Sequence, residues 1–166
     1  SYADDITIAT THKNLATATT ITQDYLTQFQ TWLVENRMTA SPNKSSITLI
    51  TTDKHISNTH PQVLLNNTPI PFNKTPKILG LTFDTHLTFS KHIQNITSAA
   101  NRKLNILKTV ANTDIHNNIP TSIAIYKQFI RPTINYASPV WHPLLSVQNL
   151  KTLQITQNKA LRTIPG

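Results

Sequence analysis

Lys77-Ile78-Leu79-Gly80-Leu81-Thr82-Phe83, followed shortly by Phe89-Ser90-Lys91-His92-Ile93, marks the point where the chain changes period. The first stretch is a short apolar run with one glycine and reads as a strand. Beyond it Ile93, Ile96, Ala100, Leu104, Leu107 and Ala111 step by three or four, the spacing of one helix face. Ser90 reads as the N-cap of that helix, with Phe89 and Ile93 packing around it as a staple.

Working upstream, Gln62-Val63-Leu64-Leu65 reads as a strand entering the turn Asn66-Asn67-Thr68-Pro69. Thr52 to His60 is polar loop, and Ile47 to Thr51 reads as a strand. Pro42-Asn43-Lys44 breaks the pattern before it. A helix is predicted from about Asn14 to Asn36, with Ile21, Tyr25, Phe29 and Trp32 on its apolar face and Leu26 and Leu33 widening it. On that stripe Phe29 and Trp32 are most simply core. Ile6 and Ile8, alternating with Thr7 and Ala9, predict a strand leaving Asp4-Asp5. Downstream, Pro120 opens a helix with Ile123, Tyr126, Phe129 and Ile130 on its face, ended by Arg131-Pro132. Tyr136 to Pro143 reads as irregular. A last helix carries Val147, Leu150, Leu153, Ala160, Leu161 and Ile164, interrupted by Gln157. Strands with one helix, then helices only, predict an α+β chain divided into residues 1–85 and 86–166.

The composition narrows the chemistry. There is no cysteine, which excludes a disulfide scaffold, a thiolate zinc site and a cysteine nucleophile. No apolar run approaches the ~18 residues of a membrane span, and the seven histidines form no metal-ligand spacing. The net charge is +8, and all of the excess lies beyond Thr85. Up to Asp84 six basic residues face six acids; from Thr85 onward nine basic residues face Asp114 alone. A basic half joined to a neutral half points to a polyanion, and nucleic acid is the commonest. The chain opens Ser1-Tyr2-Ala3-Asp4-Asp5, with neither a start Met nor a signal peptide, and reads as a piece that begins within a domain.

Asp4-Asp5 is the sharpest chemical feature. Adjacent carboxylates repel unless they face water, a cation or a basic partner, and hard oxygen ligands of this kind hold Mg²⁺ in phosphoryl-transfer sites. With its flank, Tyr2-Ala3-Asp4-Asp5 resembles the Tyr-x-Asp-Asp hairpin of reverse transcriptases. The likeness continues in order. Ser41-Pro42-Asn43-Lys44-Ser45-Ser46 resembles the segment with the palm lysine, and Pro76 to Asp84 resembles the Leu-Gly strand of the primer grip. Leu87 to Ile93 looks like the entry to the thumb. Tyr126 to Pro132, Tyr136 to Trp141 and Leu153 to Arg162 resemble the thumb of jockey-like non-LTR retrotransposon enzymes.

The resemblance implies a partial palm (1–85) and a helical thumb (86–166) of an RNA-directed DNA polymerase. It implies two Mg²⁺ ions, an RNA template, a DNA primer and deoxynucleoside triphosphates, and an intracellular, nuclear setting for target-site reverse transcription. Asp4 is then the direct metal ligand, Asp5 its neighbour, and Lys44 the general acid that protonates pyrophosphate. Gly80 lets primer backbone approach, with Tyr2 and Lys77 beside the nucleic acid. Arg102, Lys103 and Lys108 on one thumb helix and Lys127 and Arg131 on the next form a phosphate-binding face, and Lys151, Lys159 and Arg162 lie on the last. Trp141 is expected to pack between thumb helices rather than stack on a base. The family's fingers and upstream palm, with its other metal-binding aspartate, are not in this sequence. The chain alone is therefore expected to hold Mg²⁺ poorly, to be inactive, and to self-associate through unpaired strands of Ile6, Ile8, Ile47, Leu49, Ile78 and Leu81. The alternative is a non-catalytic nucleic-acid-binding remnant of a degenerate element.

Overall fold

The computed structural model describes residues 5–111 and 119–164. The chain divides into two compact units, Ser1–Pro76 and Lys77–Gly166, each with its own apolar core. Helices and small antiparallel hairpins together make an α+β architecture.

In the first unit helix α1 runs Leu15–Glu35, close to the predicted span. The Asn14 side chain caps it, accepting from the Ala16 and Thr17 N–H groups at 2.8 and 3.3 Å. Its other end closes with Met38 N–H on the Leu33 carbonyl and Arg37 N–H on that of Val34. Arg37 takes the left-handed conformation there (φ 57°) that glycine more often supplies. The face that packs is not the expected aromatic one. Leu26 and Leu33 are buried, whereas Tyr25 and Trp32 are about half exposed, 52 % and 47 %. The reason is polar. Gln23 donates to the Leu64 carbonyl at 3.1 Å and accepts the Leu64 N–H at 2.7 Å. One turn pair further along, Gln30 donates to the Asn66 side chain at 2.9 Å. These amides share a face with Leu26 and Leu33 and dock it on the hairpin of β1 (Leu64–Leu65) and β2 (Thr68–Pro69).

That hairpin turns through Asn66 and Asn67, both at positive φ (52° and 57°), as its two-residue loop requires. Val63, Leu65 and Ile70 close over Leu26. Two expected strands are not formed. Ile47 makes only an isolated parallel bridge to Phe72, and residues 48–51 join no ladder. Ile6 and Ile8 lie in irregular backbone, 50 % and 37 % exposed. Their alternation needs a neighbouring strand to become a ladder, and the bond that ties this segment down is instead Thr10 to Thr22, hydroxyl to hydroxyl at 2.6 Å.

The second unit opens with a hairpin where one strand was expected: β3 (Lys77–Ile78) and β4 (Leu81–Thr82) pair across Leu79-Gly80. Both turn residues have positive φ, 46° and 85°. The Tyr136 hydroxyl donates to the Leu79 carbonyl at 2.9 Å, and the Tyr136 ring leaves a Gly80 Cβ only 3.2 Å of room. Leu81 is not an unsatisfied strand residue, since it joins the helical core.

Helix α2 runs Ser90–Ala111. Ser90 is its first residue, not its cap, because the Phe89 carbonyl already accepts the Ile93 N–H. The Thr88 hydroxyl accepts the Ser90 N–H at 3.3 Å. Phe89 and Ile93 are both buried, but with Phe89 itself at the cap position they do not form the staple expected around Ser90; Ala100, Leu104 and Leu107 continue the stripe. The next helix does not stop at Pro132. Helix α3 (Ile119–Ile125) passes through a π-helical segment, Tyr126–Ile130, into α4 (Arg131–Asn135). Pro132 has no N–H and its ring crowds the carbonyl one turn back, so the helix widens before it rather than ending. The widening leaves Phe129 of the expected apolar face exposed.

Tyr136 and Ala137 form a turn, but from Ser138 the expected irregular stretch is helical: α5 (Ser138–Trp141) leads into a 3-10 turn, His142–Leu144. Trp141 is buried in the core and donates from Nε1 to the Tyr136 carbonyl at 2.9 Å. Helix α6 runs Val147–Thr163, with Leu153, Thr156 and Ala160 inward. Gln157, which breaks the apolar pattern, donates to the Tyr126 hydroxyl at 3.0 Å. Among the described residues no helix is long and apolar enough to cross a membrane.

His92 lies in this core beside Phe89 and Trp141. Its Nδ1 accepts the Thr82 N–H at 3.4 Å, which leaves the ring proton on Nε2, buried without a hydrogen-bond partner. Burial lowers its pKa below the ordinary 6.5. The folded unit therefore takes up this proton less readily than the unfolded chain. The stability that neutral His92 permits is intact above about 6.5 and declines as pH falls through that value toward the folded pKa. In a Trp32→Phe background, urea midpoints read from Trp141 fluorescence should fall below that pH, and His92→Gln should flatten the decline. At the hairpin, Gly80→Ala should cost about 1–2 kcal/mol, from its positive φ and the Tyr136 ring. Tyr136→Phe should cost about 1 kcal/mol for one lost hydrogen bond. Both are readable in the same urea titration.

Candidate nucleic-acid interface

The proposed catalytic residues fall in the first unit. Tyr2 and Asp4 lie outside the described residues. Asp5 is exposed, and among the described residues no group of three or more His, Asp or Glu side chains gathers as a metal site. Lys44 closes a single 3-10 turn, Pro42–Lys44, and its side chain is exposed. That turn forms because Pro42 sets φ and the Ser41 carbonyl accepts from both Lys44 and Ser45 N–H groups, at 3.2 and 3.1 Å.

In the second unit the hairpin brings Lys77 and Gly80 together. Lys77 is exposed on β3 opposite Thr82, and Gly80 sits at the turn held by Tyr136. Gly80 thus serves a turn conformation within the fold, whatever else approaches it.

The five cations expected on the helical face divide by environment. Arg102 and Lys108 are exposed along α2. Lys103, between them in sequence, turns to the other side of the helix. Its Nζ donates to the Phe129 carbonyl at 3.1 Å and to the Thr133 hydroxyl at 2.6 Å. That carbonyl belongs to the π segment and also accepts from the Thr133 hydroxyl at 2.8 Å. Lys103 thereby ties α2 to the π segment and the start of α4. Lys127 and Arg131 are exposed on the π segment and the start of α4.

Helix packing brings α6 residues to the first two. Asn149, near the start of α6, donates to the Ser90 hydroxyl at the start of α2 at 3.1 Å. Further along, Lys159 and Arg162 line the same groove as Arg102 and Lys108. The two helices therefore run parallel. Sequence spacing places Lys159 and Arg162 on α6 but carries no signal of which helix lies beside which. No family model matches the sequence, and no solved structure matches it.

Among curated proteins, the RNA-directed DNA polymerase from mobile element jockey of Drosophila melanogaster is 30 % identical over 166 residues, all of this chain and 18 % of that protein. The probable RNA-directed DNA polymerase from transposon X-element of the same organism is 26 % identical over the same span, again 18 % of its length. That from transposon BS is 26 % identical over 164 residues. The chain thus spans about a fifth of the curated relatives it matches, 18 % of each. Over that span, from Ser1 to Gly166, it is similar to the RNA-directed DNA polymerases of jockey-type mobile elements.

Proposed function

We propose that the chain is part of an RNA-directed DNA polymerase of a non-LTR retrotransposon, comprising the later part of its palm (1–85) and its thumb (86–166). The observation that carries this reading is the whole-length similarity to the jockey polymerase, 30 % over 166 residues, which takes in every motif from Tyr2-Ala3-Asp4-Asp5 to Leu153–Arg162. The +8 charge, concentrated in the second half, agrees with a nucleic-acid partner.

In the parent enzyme Asp4 and Asp5 contribute carboxylates toward two Mg²⁺ ions, and Lys44 stands as the general acid for pyrophosphate. Such a site needs a near-octahedral set of hard oxygens. Among the described residues no group of three or more His, Asp or Glu side chains gathers, and no chemical step is assigned to this chain alone. Fingers and an upstream aspartate strand from the same polyprotein would complete the palm. The substrates are then an RNA template, a DNA primer and deoxynucleoside triphosphates, in the nucleus.

The purified chain is expected to bind a primer–template duplex, with affinity falling steeply in salt, and not to extend the primer with nucleotides and Mg²⁺. Absence of any binding at low salt would remove the nucleic-acid reading. Incorporation that disappears on Asp4→Ala would show that the chain carries a complete catalytic centre. Reading the frame upstream of Ser1 is expected to reveal an aspartate-bearing strand in phase. A stop or frameshift there would favour a non-catalytic remnant.

A further inference from the structure

We infer that the outer edge of β1 is a strand-pairing surface for a second copy of this chain, and that the Gln23 side chain holds it closed. The inference stands on the geometry of the first unit and does not depend on the polymerase reading.

The register of the hairpin decides which way Leu64 faces. Leu65 lies opposite Thr68 and Leu64 opposite Pro69. The Ile70 N–H donates to the Val63 carbonyl at 3.0 Å, so the pair beyond Leu64 is a bonded one. Bonded and non-bonded pairs alternate along an antiparallel ladder. Leu64 therefore falls on a non-bonded pair, and Pro69 opposite it has no N–H to donate. The N–H and carbonyl of Leu64 point away from β2, toward the edge where a further strand would add.

Gln23 meets both groups. Its Oε1 accepts the Leu64 N–H at 2.7 Å, and its Nε2 donates to the Leu64 carbonyl at 3.1 Å. A bonded residue on a neighbouring antiparallel strand makes the same two-way exchange with one residue. A side-chain amide thus stands where the backbone of another strand would. Gln30, about two turns further along α1, bonds the Asn66 side chain instead. Of the two amides, only Gln23 closes backbone groups of the edge.

Without Gln23 the edge offers one donor and one acceptor on a single residue. Leu64 of a second copy is complementary to it about a twofold axis, each residue bonding the other through both groups. The Leu64 side chain is 43 % exposed and adds apolar surface to the same contact. The rival account is hydration: water reaches the freed N–H and carbonyl, and the edge stays single.

Sedimentation equilibrium over a range of concentrations separates the two. The 166-residue chain is compared with Gln23→Leu, Gln30→Leu, Leu64→Lys and Gln23→Leu/Leu64→Lys. Gln23→Leu keeps the size and helix propensity of the residue. It should raise the self-association constant at least about tenfold, on the order of one net hydrogen bond. Leu64→Lys in that background sets like charges across the twofold axis and should return the constant to that of the unaltered chain. Gln30→Leu loosens the same helix face without opening the edge and should leave the constant unchanged. No rise for Gln23→Leu, or an equal rise for Gln30→Leu, would overturn the inference. So would association of the unaltered chain that Leu64→Lys alone abolishes, because the edge would then be open with Gln23 in place. Amide hydrogen exchange of the unaltered chain gives a readout that needs no variant to fold. The Leu64 N–H should exchange at least about tenfold more slowly than in an unfolded chain, and exchange at the unfolded rate would refute the closed edge.

Discussion

A proline within a helix has no N–H to donate and no room for the carbonyl one turn back, and the helical unit is arranged around that constraint at Pro132. The helix does not break there; it widens into the π segment Tyr126–Ile130 and continues to Asn135. The widening turns Phe129 outward while Tyr126 and Ile130 stay in the core. The Phe129 carbonyl in that segment accepts from the Lys103 ammonium of α2. A cation that looks free in the sequence is thereby committed to the fold. The same helical run, by reaching Tyr136, places that residue's hydroxyl on the Leu79 carbonyl and its own carbonyl under the Trp141 indole. One backbone constraint thus links α2, the hairpin and α5.

What was legible in the sequence follows from periodicity. The spans of α1, α2 and α6 could be read because apolar residues recur at helical spacing over five or six turns. The Asn66-Asn67 turn could be read because few residues adopt the left-handed conformation at low cost. Which side of α1 packs could not. Tyr25, Phe29 and Trp32 carry more apolar surface than Leu26 and Leu33, yet Gln23 and Gln30 select the other side by satisfying the Leu64 backbone and the Asn66 amide. Hydropathy has no term for three specific hydrogen bonds made across about forty residues of chain. The Lys77–Thr82 hairpin was hidden for a related reason: an apolar run with one glycine reads alike as a strand or as two strands with a turn between them.

The candidate site divides along the same line. The Tyr2-Ala3-Asp4-Asp5 motif is legible because neighbouring carboxylates are chemically unusual, and local sequence is enough to notice them. The basic character of the second half is legible by counting. The pairing of Arg102 and Lys108 with Lys159 and Arg162 is not, because it is a property of two helices lying side by side. The Asn149–Ser90 bond, joining residues 59 apart in sequence, and the groove residues shared further along together fix their direction.

That direction carries an electrostatic consequence. The C-terminal ends of parallel helices point the same way, each with about half a negative charge from its unpaired carbonyls. The α6 end, at Thr163, lines the groove, whereas α2 runs on to Ala111. An anion would be repelled there unless side chains reversed the sign. Four cations against at most about one unit of negative charge leave roughly three in excess, and among the described residues no carboxylate lines the groove. Stabilising the helix ends needs fewer cations than the groove holds.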